Sequence, residues 1–280
     1  MSEPDPPGPL GGRRIAIAES RALDLFAALL ERRGAIVERH PLVGIRDAPD
    51  PAPVLAWLRD FAAGRCDALV LMTGEGLQRL LDLAQRHDPA LRAAVGARLA
   101  RLPIYARGPK PGRVLRTLGL QPAAVAEPAT TEGMIALLAG LPLRGQRIGL
   151  QLYGDYANPP LQAALHAAGA EPLPVAPYVY VDACADAEVV ALIDALQQPD
   201  RLDAIAFTSL QQVRRLFEVA ASTGRGEALR AALERHVVGA VGPLVAQALA
   251  DQGITAAAVP EGGYFLKPLT RALERALASG

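Results

Sequence analysis

Short apolar runs alternate with segments of helical period along this chain, and glycine marks many of the junctions. Arg14-Ile15-Ala16-Ile17-Ala18 predicts a strand, followed by a helix whose apolar face is Leu23, Phe26, Ala27 and Leu30 and which stops at Gly34. Ala35-Ile36-Val37 then opens a second strand leading to Leu42-Val43-Gly44-Ile45. A strand–helix–strand unit in a parallel sheet implies a right-handed crossover. After the proline-rich stretch 47–53, Val54, Trp57, Leu58 and Phe61 share one helical face. A buried strand at 67–71 runs through Met72-Thr73-Gly74 into a helix carrying Leu77, Leu80 and Leu81. The strand 102–106 enters the turn Arg107-Gly108-Pro109-Lys110 and a helix through Val114 and Leu118. Pro128-Ala129-Thr130-Thr131-Glu132 precedes a further helix, for which Thr130 or Thr131 is a suitable N-cap.

From Arg147 the same order begins again. Arg147-Ile148-Gly149-Leu150-Gln151-Leu152 repeats the first strand at an offset of 133, followed by Tyr153-Gly154-Asp155-Tyr156, a helix through Leu161 and Leu165, and Gly169-Ala170. Pro177-Tyr178-Val179-Tyr180-Val181 stands where Leu42 to Ile45 stood. Asp203 to Phe217, with the turn Phe207-Thr208-Ser209, repeats the stretch from Asp67 at an offset of 136. Val241-Gly242-Pro243-Leu244 repeats the turn at Gly108 at 134, and Pro260-Glu261-Gly262-Gly263 repeats Pro128 at 132. A period this long excludes a solenoid and predicts a duplicated α/β chain, with a doubly wound parallel sheet in each of two similar domains.

Ser and Thr at such turns cap helices, and the same first-turn amides can bind an anion at the C-terminal end of a sheet. Two facing domains would turn polar helix starts at Tyr153-Gly154, Thr73-Gly74, Gly108-Pro109, Thr130-Thr131, Thr208-Ser209 and Gly242-Pro243 toward one cleft, suited to a ligand with many carboxylates.

Composition narrows the function further. With 280 residues, 51% of them apolar, a sizeable core is possible, and 29 acidic against 29 basic residues leave no basic surface for nucleic acid. Residues 2–12 are rich in Pro and Gly and are expected to form a disordered tail (1–12) rather than a signal peptide. No apolar run approaches a membrane span, so a cytoplasmic protein is expected. Cys66 and Cys184 and the four histidines show no ligand spacing, and no nucleotide-binding loop occurs. Neither metal nor cofactor is expected.

The strand–Phe-Thr-Ser turn at 207–209, its partner Met72-Thr73-Gly74, the turn Val241-Gly242-Pro243 and the paired Gly34-Ala35 and Gly169-Ala170 together resemble uroporphyrinogen-III synthases, over about residues 13–277. The resemblance implies that residues 13–41 and 182–280 form one discontinuous domain and 47–175 an inserted second one. Segments 42–46 and 176–181 would be the extended connectors. It also implies a cofactor-free cyclisation of the linear tetrapyrrole hydroxymethylbilane by a monomer, with inversion of the last ring; the alternative is a non-catalytic tetrapyrrole- or polyanion-binding relative. The family's acid, a tyrosine on the second connector, falls on Tyr178, with Tyr180 two residues on along the same strand face. Substrate contacts are expected at Thr73, Gly74, Lys110, Thr131, Tyr153, Thr208, Ser209, Gly242, Pro243 and Leu244. Three positions depart from the family pattern. Leu244 replaces a hydroxyl residue, Gly74 a serine, and Glu19 would repel an acidic substrate if it faced the cleft.

Overall fold

The structure, a computed structural model, describes residues 8–154 and 156–278. The chain divides into two compact units, one reaching to Gly44 and resuming at Val181, the other spanning Ile45–Tyr180. The first unit begins with β1 (Arg14–Ile17), α1 (Leu23–Glu31) and β2 (Ile36–Arg39), and the chain leaves it along β3 (Val43–Asp47). The second unit opens with α2 (Ala52–Ala62), β4 (Ala68–Leu71), α3 (Gly74–His87), α4 (Pro89–Leu99), β5 (Ile104–Ala106) and α5 (Pro109–Thr117). It continues through β6 (Ala124–Val125), α6 (Thr131–Ala139), β7 (Arg147–Gln151), α7 (Pro159–Ala167) and β8 (Glu171–Val175). The chain returns along β9 (Tyr178–Asp182), paired with β3 in a two-stranded sheet. Then follow α8 (Asp186–Gln197), β10 (Ala204–Phe207), α9 (Leu210–Ser222), α10 (Gly226–Leu233), β11 (Val237–Ala240), α11 (Pro243–Ala250) and α12 (Leu266–Ala278).

The first unit carries a parallel sheet in the order β11-β10-β1-β2, the second a parallel sheet in the order β6-β5-β4-β7-β8. The sequence repeat reappears in their registers. Ile15 lies opposite Ala204 as Ile148 lies opposite Ala68, and Ile205 opposite Val238 as Leu69 lies opposite Ile104. Where the second unit has β6, the first retains a single bridge, Gly239 to Ala258. Each sheet therefore combines strands from both sequence copies.

The pleat of β4 shows why this sequence is buried on both faces. Leu69 and Leu71 enter one core with Leu77, Leu80 and Leu81 of α3, while Ala68 and Val70 enter another with Met134 of α6 and Leu161 of α7. Pro172 and Pro174 are tolerated in β8 because it is an edge strand. The expectation of a disordered tail fails for residues 8–12. Leu10 is fully buried, and the Leu10 and Gly12 amides donate to the Arg33 and Gly34 carbonyls at 2.9 and 3.0 Å, because an apolar side chain beside α1 has a place to pack. The rest of that tail lies outside the described residues.

Candidate functional site

In an open parallel sheet the ligand crevice forms where strand order reverses, at the C-terminal strand ends. In the second unit that point lies between β4 and β7. Gln151, the last residue of β7, is fully buried, and its Oε1 accepts from the Thr73 amide at 3.0 Å. The Thr73 hydroxyl caps α3 by accepting from the Gly76 amide at 2.9 Å, and it lies 3.3 Å from the Tyr178 hydroxyl. In the first unit the reversal lies between β1 and β10. There the Thr208 hydroxyl donates to Glu19, whose Oε1 also accepts from the Ser20, Arg21 and Ala22 amides at 3.1, 2.8 and 3.2 Å. Gln212 Oε1 accepts from the Thr208 and Ser209 amides at 2.7 and 3.2 Å. Each crevice is thus bridged by a polar side chain between its two central strands.

Burial pushes the Glu19 carboxyl up, but the hydrogen bonds from Thr208 and from the Ala22 and Arg21 amides, with the Arg21 charge, outweigh it and hold the pKa below the ordinary value. Glu19 therefore anchors the β1–α1 turn, with only 5% of its surface exposed. Its oxygens are taken up by donors of the protein itself. The expected free amides at Thr208 and Ser209 are likewise engaged by Gln212, and the Thr208 hydroxyl by Glu19.

The registers also correct the pairing of the two turns. Leu71 lies opposite Ala106 as Phe207 lies opposite Ala240, so Thr73 corresponds to Ser209, and Met72 to Thr208. Gly74 is not a vacated serine position but a point of close approach. A Cβ there would stand 2.8 Å from the Lys110 carbonyl oxygen, at the start of α5. The helix expected after Tyr153-Gly154 starts only at Pro159, and Asn158 before it, in a left-handed conformation, gives it no side-chain cap. Its two leading prolines remove first-turn donors. Pro109 and Pro111 do the same in α5. Thr130, not Thr131, caps α6, accepting from the Gly133 amide at 3.1 Å, while the Thr131 hydroxyl lies 3.4 Å from Asn158 Nδ2. Lys110 and Pro243 are exposed, and Leu244 has 39% of its surface exposed at the start of α11, next to the Gly242 cap.

Tyrosines gather at the same end of the second unit. Tyr178 is fully buried, and Tyr180 meets it edge to face with ring centres 5.5 Å apart, as their shared strand face requires. Gly154, at φ 63°, lies beneath Tyr180, whose ring would stand 2.7 Å from a Cβ. Tyr153 lies 5.3 Å from Tyr156 and carries the Arg107 guanidinium over its ring at 4.8 Å. Sequence reasoning passed over Arg107, Gln151 and Gln212. Arg107 stands directly after a strand in a turn that was singled out for its glycine and lysine, and that position was the available signal. Among the described residues no His, Cys, Asp and Glu side chains are grouped so as to hold a metal, and no helix is long and apolar enough to cross a membrane.

A family model described as "Uroporphyrinogen-III synthase HemD" matches residues 24–263. The chain is 35% identical over 256 residues to the uncharacterized protein YjjA of Bacillus subtilis (strain 168), covering 89% of this chain and 91% of that one. Among solved structures, a mutant uroporphyrinogen III synthase from the extremely thermophilic bacterium Thermus thermophilus superposes with a TM-score of 0.74 at 31% identity, covering 96% of this chain and 100% of that one. The synthetase from Helicobacter pylori 26695, at 17% identity and a TM-score of 0.53 over 96% of this chain and 100% of that one, shares the fold. Strand order, repeat and match over most of the chain agree: the protein belongs to the uroporphyrinogen-III synthase family.

Proposed function

We propose that the chain is an active uroporphyrinogen-III synthase. The terminal hydroxyl of hydroxymethylbilane leaves as water, with a proton from an acid, and exposes an electrophilic methylene. The substituted carbon of the last ring attacks it, giving a spiro intermediate. That intermediate breaks its old methylene bond, the methylene so released recloses on the free α-carbon across the nitrogen of the same ring, and loss of the proton from that carbon restores the pyrrole. The balance is one substrate to one macrocycle and one water. The substrate also closes unaided to the symmetrical isomer, so the protein's task is chiefly to hold one conformation, a matter of proximity and orientation.

The observation that carries this reading is the Tyr178 hydroxyl 3.3 Å from the Thr73 hydroxyl, at the strand-order reversal of the second unit. A phenolic O–H can donate to the departing oxygen, and Thr73 holds it in line until substrate takes its place. Thr73, Gly74, Lys110, Thr131 and Tyr153 in the second unit, and Ser209 with the Gly242-Pro243-Leu244 helix start in the first, are proposed to meet substrate carboxylates. Thr208 contributes by fixing Glu19 and the turn.

Supplying freshly prepared hydroxymethylbilane and resolving the porphyrin isomers after oxidation tests the proposal. The type III isomer, above the buffer control, is expected. Formation of type I alone, at the control rate, overturns it and leaves polyanion binding as the function. Tyr178→Phe is expected to lower kcat by roughly 100-fold or more, the lower end for general acid catalysis, with product affinity unchanged. Equal turnover would move the acid to Tyr180 or water.

A further inference from the structure

Two partly buried arginines of the second unit have oxygen partners. Arg79 is held by Glu75 and Asp47, and Arg98 reaches the Cys66 carbonyl. Arg107 differs. It follows β5 directly, its amide donates to the Leu71 carbonyl at 2.9 Å, and its guanidinium lies over the Tyr153 ring at 4.8 Å. Its Nε is buried without a hydrogen-bond partner, and among the described residues no carboxylate stands within ion-pair distance. The charges and phenols that act on it are those of Tyr153, Tyr178, Tyr180 and Glu132. Burial therefore pushes its pKa below the ordinary guanidinium value, and these neighbours only partly offset that.

A cation drawn partly out of water without a counter-charge is costly, and the cost is removed when an anion arrives with the right geometry. A guanidinium presents five donors in a planar fork, which matches a carboxylate in two parallel hydrogen bonds. Its seat over the Tyr153 ring limits the freedom of that fork in advance. We infer that Arg107 is a substrate-binding residue that takes one side-chain carboxylate of the bound tetrapyrrole against the tyrosine cluster, which places the reacting end beside Tyr178. The inference rests on the proposed function for its ligand and goes beyond it in naming a charged anchor where helix amides were expected to suffice.

The test is binding of uroporphyrin III, an octacarboxylate, followed by fluorescence quenching on the intact chain, beside synthase turnover and thermal unfolding. Arg107→Met is expected to weaken binding by roughly 30-fold or more, the lower bound for truncating one member of a buried charge pair. Arg107→Lys, which keeps the charge but not the fork, is expected to fall between the two. The effect on turnover should appear in KM, with kcat much less altered. Without ligand, Arg107→Met should melt no lower than the parent chain, because it removes an unpaired, partly buried charge. Affinity within twofold of the parent in both variants overturns the inference, as does a lowered melting temperature with affinity intact. If Arg107→Met does not fold, Arg107→Lys alone decides, a loss of several-fold supporting the inference and unchanged affinity overturning it. Absent synthase activity with binding that still depends on Arg107 would defeat the catalytic reading and leave this one standing. Normal turnover with Arg107-independent binding would do the reverse.

Discussion

Glu19 shows how far a single residue can be read without its surroundings. In the sequence it is an acid beside a site for acids, whereas in the fold four donors enclose it. Its pKa is depressed in the folded state, so its contribution to stability is full above the unfolded value of about 4.3 and is lost as pH falls through the folded value. Thr208→Val removes the largest of the hydrogen bonds that oppose burial. The carboxyl should then titrate higher, and the acid limb of stability should move to higher pH. The cost at neutral pH should be about 1.5–3 kcal/mol, the range for a hydrogen bond to a charged group. Urea unfolding across pH measures both, and a Glu19→Gln background should absorb most of the cost of Thr208→Val; equal costs in both backgrounds would show that the pair is uncoupled. Tyr178 was reached through the family resemblance, and Thr73 was legible as a helix cap at a strand end. Gln151, Gln212 and Arg107 were not, because their roles depend on strands that pair across long stretches of chain.

At the scale of elements, short buried strands and their capped helices were readable from period and glycine stops alone. Helices α4, α8, α10 and α12 were not placed. In α4 only Leu91, Val95 and Leu99 are buried, in a background of Ala and Arg that carries little polar contrast, so its period is faint. The starts of α3 and α5 add a constraint invisible in one dimension, since Gly74 allows them to approach until a Cβ would stand 2.8 Å from the Lys110 carbonyl. Restoring a hydroxyl there by Gly74→Ser should therefore fail to improve binding and should destabilise the chain by about 1–3 kcal/mol, as overpacking does. Thermal unfolding of Gly74→Ser checks it, with Thr73→Ala, which loses the α3 cap at about 1 kcal/mol, as the reference. A serine variant as stable as the parent would mean that α5 can shift away.

At the scale of the whole molecule the duplication was legible as a repeat of whole strand–turn–helix stretches, yet the repeat is not the folding unit. β1 and β2 come from one copy and complete their sheet with β10 and β11 from the other, whereas β4 to β8 are contiguous in the chain. The second unit should consequently fold on its own. Its five-stranded sheet has one apolar core around Leu58, Leu69 and Leu80 and another around Val70, Met134 and Leu150, with no strand borrowed from outside. Its two ends lie in β3 and β9, which pair, so excision leaves them adjacent. The first unit has no such independence, because β1 must wait for β10, which pairs with it only after the intervening unit has been made. A fragment of residues 45–180 is expected to give a helical circular dichroism spectrum, a single cooperative melt and slowly exchanging amides in β4 and β7. A broad melt with unprotected β4 would mean that its stability is borrowed from the rest of the chain. The same fragment should retain Arg107-dependent binding of uroporphyrin III, weakened by whatever the first unit contributes, since Arg107, Tyr153 and Tyr178 all lie within it.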